Sequence, residues 1–422
     1  MRKPIAALAV VTAAVLGLAA CGSSSGSGEK GAEAGGKTLV IATDLPLQGA
    51  AGDASADTNN MIQLYLESIG YKAGDYKIEL KKYDNSTATA GSWDAGTCTA
   101  NAQKHVSETS EIAVMGEFNS GCTKLEVPVL NQDPNGPMLT VSHAATNPGL
   151  TKAWDPGEPD LYAPSGKKSF ARVITTDDYQ GTAAAHFAQE DLKVKKVYIL
   201  NDNQTYGQGV AKAFQTEAEK IGIQVLGNEA YDDKAPNYTA LFQKIKALNP
   251  DAVYVSGIYD ANGGQLLKDK VSVLGDNTKV KFMAPDGYSG YPAFDAQPQS
   301  EGAYVTFAGL ATEQLQKQGG VAADLLKKYQ EKYGMGPRTS YALYGVAATQ
   351  VIVAAIEKSD GTRKGVRDAV FEGDGITIPA EQAATGKAIH LDPATGDTTA
   401  VDISVMRNHD GKQSFFKAQP VK

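Results

Sequence analysis

Two reactive side chains, Ser120 and Cys122, stand in the stretch GEFNSGCTKLEVPVL at 116–130, where a short apolar run gives way to helical spacing. They fall at the turn between a strand and a helix. In hydrolases that turn is a nucleophile elbow, which presents a serine above the sheet. In binding proteins it is an anion cradle, because the first amides of a helix lack intrahelical partners and carry partial positive charge. A nucleophile also needs a base within reach and an acid to orient that base. His143, in a second loop SHAATNPGLT at 142–151, is the nearby candidate base. The residue types leave both readings open: a hydrolase using Cys122 or Ser120, or a ring of donors around a ligand.

Other chemistries find less support. The five histidines (His105, His143, His186, His390 and His409) lie far apart, and no Cys-x-x-Cys occurs, so no zinc spacing is present. No metal and no cofactor are expected. The formal net charge of −8 argues against nucleic acid, which calls for a basic patch.

The elements that must position these residues alternate along the chain. β-rich runs at 38–43, 76–83, 112–116 and 138–141 are separated by segments with helical apolar spacing. Such alternation predicts βαβ units and a parallel sheet, with ligands beyond the carboxyl ends of the strands. A second series predicts strands at 170–174, 196–200, 223–226, 252–256 and 280–283, with helices at 208–221, 238–248 and 264–274. Helices at 321–333, 341–358 and 363–371 follow, then a β-like tail at 399–406. Two α/β series of similar length predict two lobes with a cleft between them. The loop WDPGEPDLYAPSGK at 154–167 breaks the pattern with prolines and glycines, and reads as a surface loop or a rim over the cleft.

At the N-terminus, Arg2 and Lys3 precede an apolar run at 4–20 that ends Leu18-Ala19-Ala20-Cys21. That describes a secretory signal, and the cysteine after Leu-Ala-Ala resembles the bacterial lipobox. The resemblance implies a signal peptide over 1–20 and lipidation of Cys21. Residues 21–37, rich in Gly and Ser, would form the tether. The expected location is the outer face of a bacterial cell membrane, held by the lipid anchor.

Several turns, in order, resemble those of the bacterial leucine/isoleucine/valine-binding proteins: IATDLPLQG (41–49), GEFNSGCT (116–123), SHAATNPGLT (142–151), NDNQTYGQGVA (201–211) and FMAPDG (282–287). The resemblance covers most of 38–415. It implies the type I periplasmic-binding-protein fold, an α/β fold with two Rossmann-like parallel-sheet lobes and a three-crossing hinge. Lobe 1 would hold 38–174 and 308–401, and lobe 2 would hold 175–307 and 402–422.

The implied function is a non-enzymatic one: capture of a branched-chain or related amino acid for an ABC importer. The partners would be a permease and its ATPase, and the chain would be a monomer. The ligand carboxylate would meet Ser120, Gly121, Ala144, Ala145 and Thr146. Its ammonium would meet Asp286 and Tyr259. Phe118, Asn119, Tyr206 and Asp53 would line the cleft. Asp53 stands near the place where the family often has an aromatic residue. Cys98 and Cys122 would form a disulfide, since an exported chain meets an oxidising compartment. An amide, urea-like or aromatic solute on the same scaffold, or a sensor role, remains open at this stage.

Overall fold

The computed structural model describes residues 36–421. The expected signal peptide, lipidated Cys21 and nearly all of the tether lie outside the described residues. No helix among the described residues is long and apolar enough to cross a membrane.

Two sheets organise the chain. The first runs in the order Lys72–Ala73, Tyr76–Asp84, Thr38–Leu45, Glu111–Met115, Leu139–Ser142, Phe170–Arg172. All its pairings are parallel except the short edge strand Lys72–Ala73. The strand Thr38–Leu45, TLVIATDL, is buried at every position after the first. That is the signature of a parallel strand covered on both faces.

The second sheet runs Gln224–Ala230, Lys196–Asn201, Ala252–Ser256, Lys281–Ala284, Tyr304–Phe307, Ser404–His409, Lys412–Ala418. Its first five strands are parallel, and the last two form an antiparallel hairpin. The tail strand thus starts later than the sequence pattern predicts and gains a partner, Lys412–Ala418. The helix Asp177–Glu190, absent from the pattern reading, packs on the helix Thr205–Lys220. Its apolar face is mostly alanine, too small to print a strong periodicity.

The helix Tyr341–Glu357 is buried along almost its whole length and packs against both the first sheet and the helix Gly52–Ser68. Gly345 permits that approach: a Cβ there would lie 2.4 Å from Thr58 Cγ2. The chain therefore returns to the first sheet after Phe307 and to the second at Ser404. The crossing segments are tied to one another. Thr175 N–H donates to Ala308 O at 3.1 Å, and Asp402 N–H donates to Thr175 Oγ1 at 3.2 Å.

A disulfide joins Cys98, in the helix Ala95–Ser107, to Cys122, in the helix Ser120–Asn131, with Cα atoms 5.7 Å apart. Both helices start at the carboxyl end of the first sheet, which brings the two cysteines together.

Candidate functional site

The carboxyl ends of the two sheets face each other. From the first sheet, Phe118, Asn119, Ser120 and Ala144 surround a cavity of about 20 Å³. Tyr206, Ile258 and Gly287 close it from the second, and Tyr341 joins them from the helix Tyr341–Glu357.

The loop before the helix Ser120–Asn131 is held by its neighbour. Ser142 Oγ donates to Glu117 O at 2.6 Å and accepts the amides of Ala144 and Ala145 at 3.1 and 2.8 Å. This differs from the expectation that those two amides face a ligand: Ser142 already uses them. Ser120 Oγ accepts Asn147 N–H at 3.2 Å, which leaves its own proton to donate. Thr146 is fully buried, and its hydroxyl has no partner.

Arg172 buttresses the second loop from behind. Its guanidinium donates to Asp397 Oδ1 at 2.7 Å, to Ala145 O at 2.9 Å and to Asn147 O at 2.8 Å, and also reaches Thr151 Oγ1. All of its side chain is buried, so this cation is committed to the frame.

Asp286 follows the strand Lys281–Ala284 and is 1% exposed. Tyr206 Oη donates to its Oδ1 and accepts Gly287 N–H at 2.9 Å. Oδ2 has no partner. Gly287 can only be glycine here, because a Cβ would lie 2.2 Å from Gly257 O. Burial pushes the Asp286 carboxyl above the usual range, and the Tyr206 hydrogen bond opposes that rise. A second buried acid, Asp177, begins the helix Asp177–Glu190 with both oxygens unpartnered. Burial raises it too, and the charge of Asp286 raises it further. Sequence reasoning missed Asp177, since an acid in the first turn of a helix is ordinary.

Other expected residues stand elsewhere. Asp53 is exposed and pairs with Arg338 at 3.4 Å, so the structure does not bring it to the cavity. Tyr259 packs edge-on against Tyr288 and Phe294, and its hydroxyl reaches Gln297 Oε1 at 3.4 Å rather than Asp286. Gly121 lies under Trp93, where a Cβ would meet the indole at 2.6 Å.

Contacts between the two sides cluster on these unexpected residues. Trp93 Nε1–H donates to Gln204 Oε1 at 3.0 Å, and Asn147 Nδ2 donates to Thr205 O at 3.3 Å. Asp260 Oδ1 accepts the amides of Ala50 and Ala51 at 3.0 and 3.2 Å, just before the helix Gly52–Ser68. Tyr291 Oη donates to Asp260 Oδ2 at 2.7 Å. The 154–167 loop reaches across as well. Lys212, on the helix Thr205–Lys220, binds Asp155 Oδ1 at 3.0 Å and sits 4.4 Å from the Trp154 ring centre.

The nucleophile reading loses its parts. Cys122 is in the disulfide, so it offers no thiolate. His143 is fully buried, both ring nitrogens lack partners, and burial pushes its pKa down to about 3. It packs edge-on against Phe118 and Tyr341 at centroid distances of 5.5 and 6.0 Å.

Comparison with known proteins agrees with this architecture. A family model described as periplasmic binding protein matches residues 38–392. The chain is 28% identical to the Leu/Ile/Val-binding protein BraC3 of Rhizobium johnstonii, over 89% of this chain and 92% of that one. In fold it is similar to the Streptococcus pneumoniae branched-chain amino acid transporter substrate-binding protein, solved with isoleucine. That likeness has TM-score 0.73 and 20% identity, over 91% of this chain and all 100% of that one. It is equally similar, at TM-score 0.73 and 16% identity, to a Rhodopseudomonas palustris solute-binding protein solved with p-hydroxybenzoic acid, over 91% of this chain and 98% of that one. The chain belongs to the periplasmic binding protein family, with the two-lobed type I fold.

Proposed function

We propose that this chain is the extracytoplasmic solute-binding subunit of an ABC importer and that it captures an α-amino acid between its lobes. The observation that carries this reading is the buried, half-unpaired carboxyl of Asp286, next to the cavity-lining Gly287, together with the cavity-lining Ser120 hydroxyl and the buried, unpartnered hydroxyl of Thr146. An ammonium matches the carboxyl and a carboxylate matches the hydroxyls. Ser120 and Thr146 take the carboxylate, together with the free amides that open the helix Ser120–Asn131. Asp286 takes the ammonium, and Phe118, Asn119, Tyr206, Ile258 and Tyr341 enclose the side chain. Contacts drawn from both lobes favour the closed state, so ligand and closure stabilise each other. The closed form docks on a membrane permease coupled to an ATPase. In this reading cleavage of the signal at 1–20 and lipidation of Cys21 tether the chain to the outer face of the membrane, where it acts as a monomer.

The aromatic-acid ligand of a structural neighbour motivates a second reading, since Phe118, His143 and Tyr341 form an aromatic wall. The acids count against it. A carboxylic acid without an ammonium would add negative charge beside Asp177 and Asp286, and Arg172 is already committed to the frame. Calorimetry with branched-chain amino acids, 4-hydroxybenzoate and small amides tests the reading. Amino acids are expected to bind, and Asp286→Ala is expected to weaken them at least about 100-fold, a loss of about 2.7 kcal/mol. Binding of benzoates with no response to amino acids would replace the proposal with the second reading.

A further inference from the structure

Beneath the Ser120 loop, the core of the first lobe holds a group of ionisable side chains that amino-acid capture does not use. Asp44 comes from the strand Thr38–Leu45, His105 from the helix Ala95–Ser107 and Glu126 from the helix Ser120–Asn131. All three are fully buried, and each offers a donor atom within 4.8 Å of the others. We propose that Asp44, His105 and Glu126 bind a divalent transition-metal cation of the zinc type. This inference does not depend on the ligand reading.

Four features of the group favour a cation. First, carboxyl groups outnumber the basic groups there, His105 and Lys81. Asp44, Glu111, Glu117 and Glu126 lie in the same buried region, where Lys81 reaches Glu111 at 3.1 Å. Buried like charges repel strongly, so the group must be neutralised, by a bound cation or by protons.

Second, the imidazole is oriented as a ligand. Its Nδ1 lies 2.6 Å from Glu111 Oε2, and Tyr83 donates to the other oxygen of Glu111. A proton on Nδ1 turns the Nε2 lone pair toward Asp44 Oδ2, 3.2 Å away. A carboxylate behind a metal-binding histidine fixes its tautomer in this way. Tetrahedral coordination at zinc–ligand lengths of about 2.0–2.1 Å sets donor atoms roughly 3.3 Å apart, which matches that separation.

Third, two carboxylate oxygens are buried without partners, Glu126 Oε2 within the group and Glu117 Oε1 beside it. Fourth, the frame is rigid. Asn101 Nδ2 donates to Asp44 Oδ1 at 3.2 Å, and the Cys98–Cys122 disulfide clamps the two helices that carry His105 and Glu126. Three donors including an imidazole suit a first-row transition ion better than calcium, which takes six to eight oxygens.

Protons on the carboxyls are the competing way to neutralise the group, and the test separates the two. The whole chain is unfolded and refolded with its disulfide intact, in the presence of Zn²⁺ or Co²⁺, then dialysed and its metal content measured. About one metal per chain is expected, with the strong visible absorption of tetrahedral Co²⁺. Glu126→Gln keeps the shape and is expected to lower metal affinity at least tenfold, while Glu111→Gln, which acts through His105, lowers it about 10- to 100-fold. A natively folded wild-type chain that retains no metal under these conditions overturns the proposal. So does a Glu126→Gln variant that folds and holds metal as tightly as the wild type. The wild-type measurement decides even if a variant fails to fold.

Discussion

Asp286 at the cleft and Glu126 within the first lobe are both buried carboxylates with an unpartnered oxygen, yet their surroundings are built differently. Asp286 lies where two sheets meet across short crossing segments, and the contacts that close over it are individual hydrogen bonds such as Trp93–Gln204 and Ala50–Asp260. Glu126 lies between helices joined by a disulfide and packed within one lobe. Charge at a boundary that opens can be balanced by a ligand that comes and goes. Charge in a core that stays shut must be balanced as the chain folds. On the two proposals above, the same chemical group would serve reversible binding in one place and permanent structure in the other.

The contrast predicts effects of different kinds. Arg172 belongs to the fixed half of the cleft. Arg172→Met should destabilise the protein by about 3–5 kcal/mol, because Asp397 and two carbonyls would lose a buried cation. Urea unfolding measures this, and an unchanged midpoint would show that the second loop is not held as described.

Asp260 spans the two sides of the cleft through the Ala50 and Ala51 amides, so under the proposed clamp those contacts would be broken on opening. Asp260→Ala should leave unfolding of the ligand-free protein nearly unchanged and speed ligand release about tenfold, a loss of roughly 1.4 kcal/mol. Stopped-flow dissociation reads it. A large drop in stability with unchanged release would erase the distinction between the two halves.

The smallest effect at neutral pH is on affinity. The raised Asp286 carboxyl must ionise to hold an ammonium, so affinity should weaken as pH falls through that raised value, by no more than about tenfold per pH unit for one proton. Stability of the ligand-free chain runs the other way for the same group. Its folded form binds the proton more tightly than the unfolded chain, so this contribution is full at low pH and is lost as pH rises above the ordinary carboxyl range. Asp202, raised to about 6 by burial, acts in the same sense between 3.8 and about 6. Affinity that rises on acidification would remove Asp286 from the ammonium role.

Much of the frame was legible in the chain itself. Parallel strands buried on both faces print as continuous apolar runs, and the turns that follow them carry Ser120, Thr146, Tyr206 and Asp286 in a readable order. The hairpin Ser404–His409 with Lys412–Ala418 was half legible, because an edge strand of alternating exposure resembles loop. The family resemblance puts Asp53 and Tyr259 in the cleft, but matching turns do not say which way a side chain points.

Local pattern by itself determined the two α/β series, the strand-end loops and the small residues that let backbones approach. Only the tertiary structure decided which polar groups are left unpaired. Nothing in the local sequence marks Arg172, Asp177 or Trp93: Arg172 gains its role from Asp397, Asp177 is an acid in the first turn of a helix, and Trp93 gains its role from Gln204. Asp44, His105 and Glu126 are separated by many residues and match no metal-binding spacing, yet three elements bring them within reach of one another. Periodicity records the solvent that each residue avoids. The partner that satisfies a buried charge comes from a distant segment, and nothing in the local pattern names it.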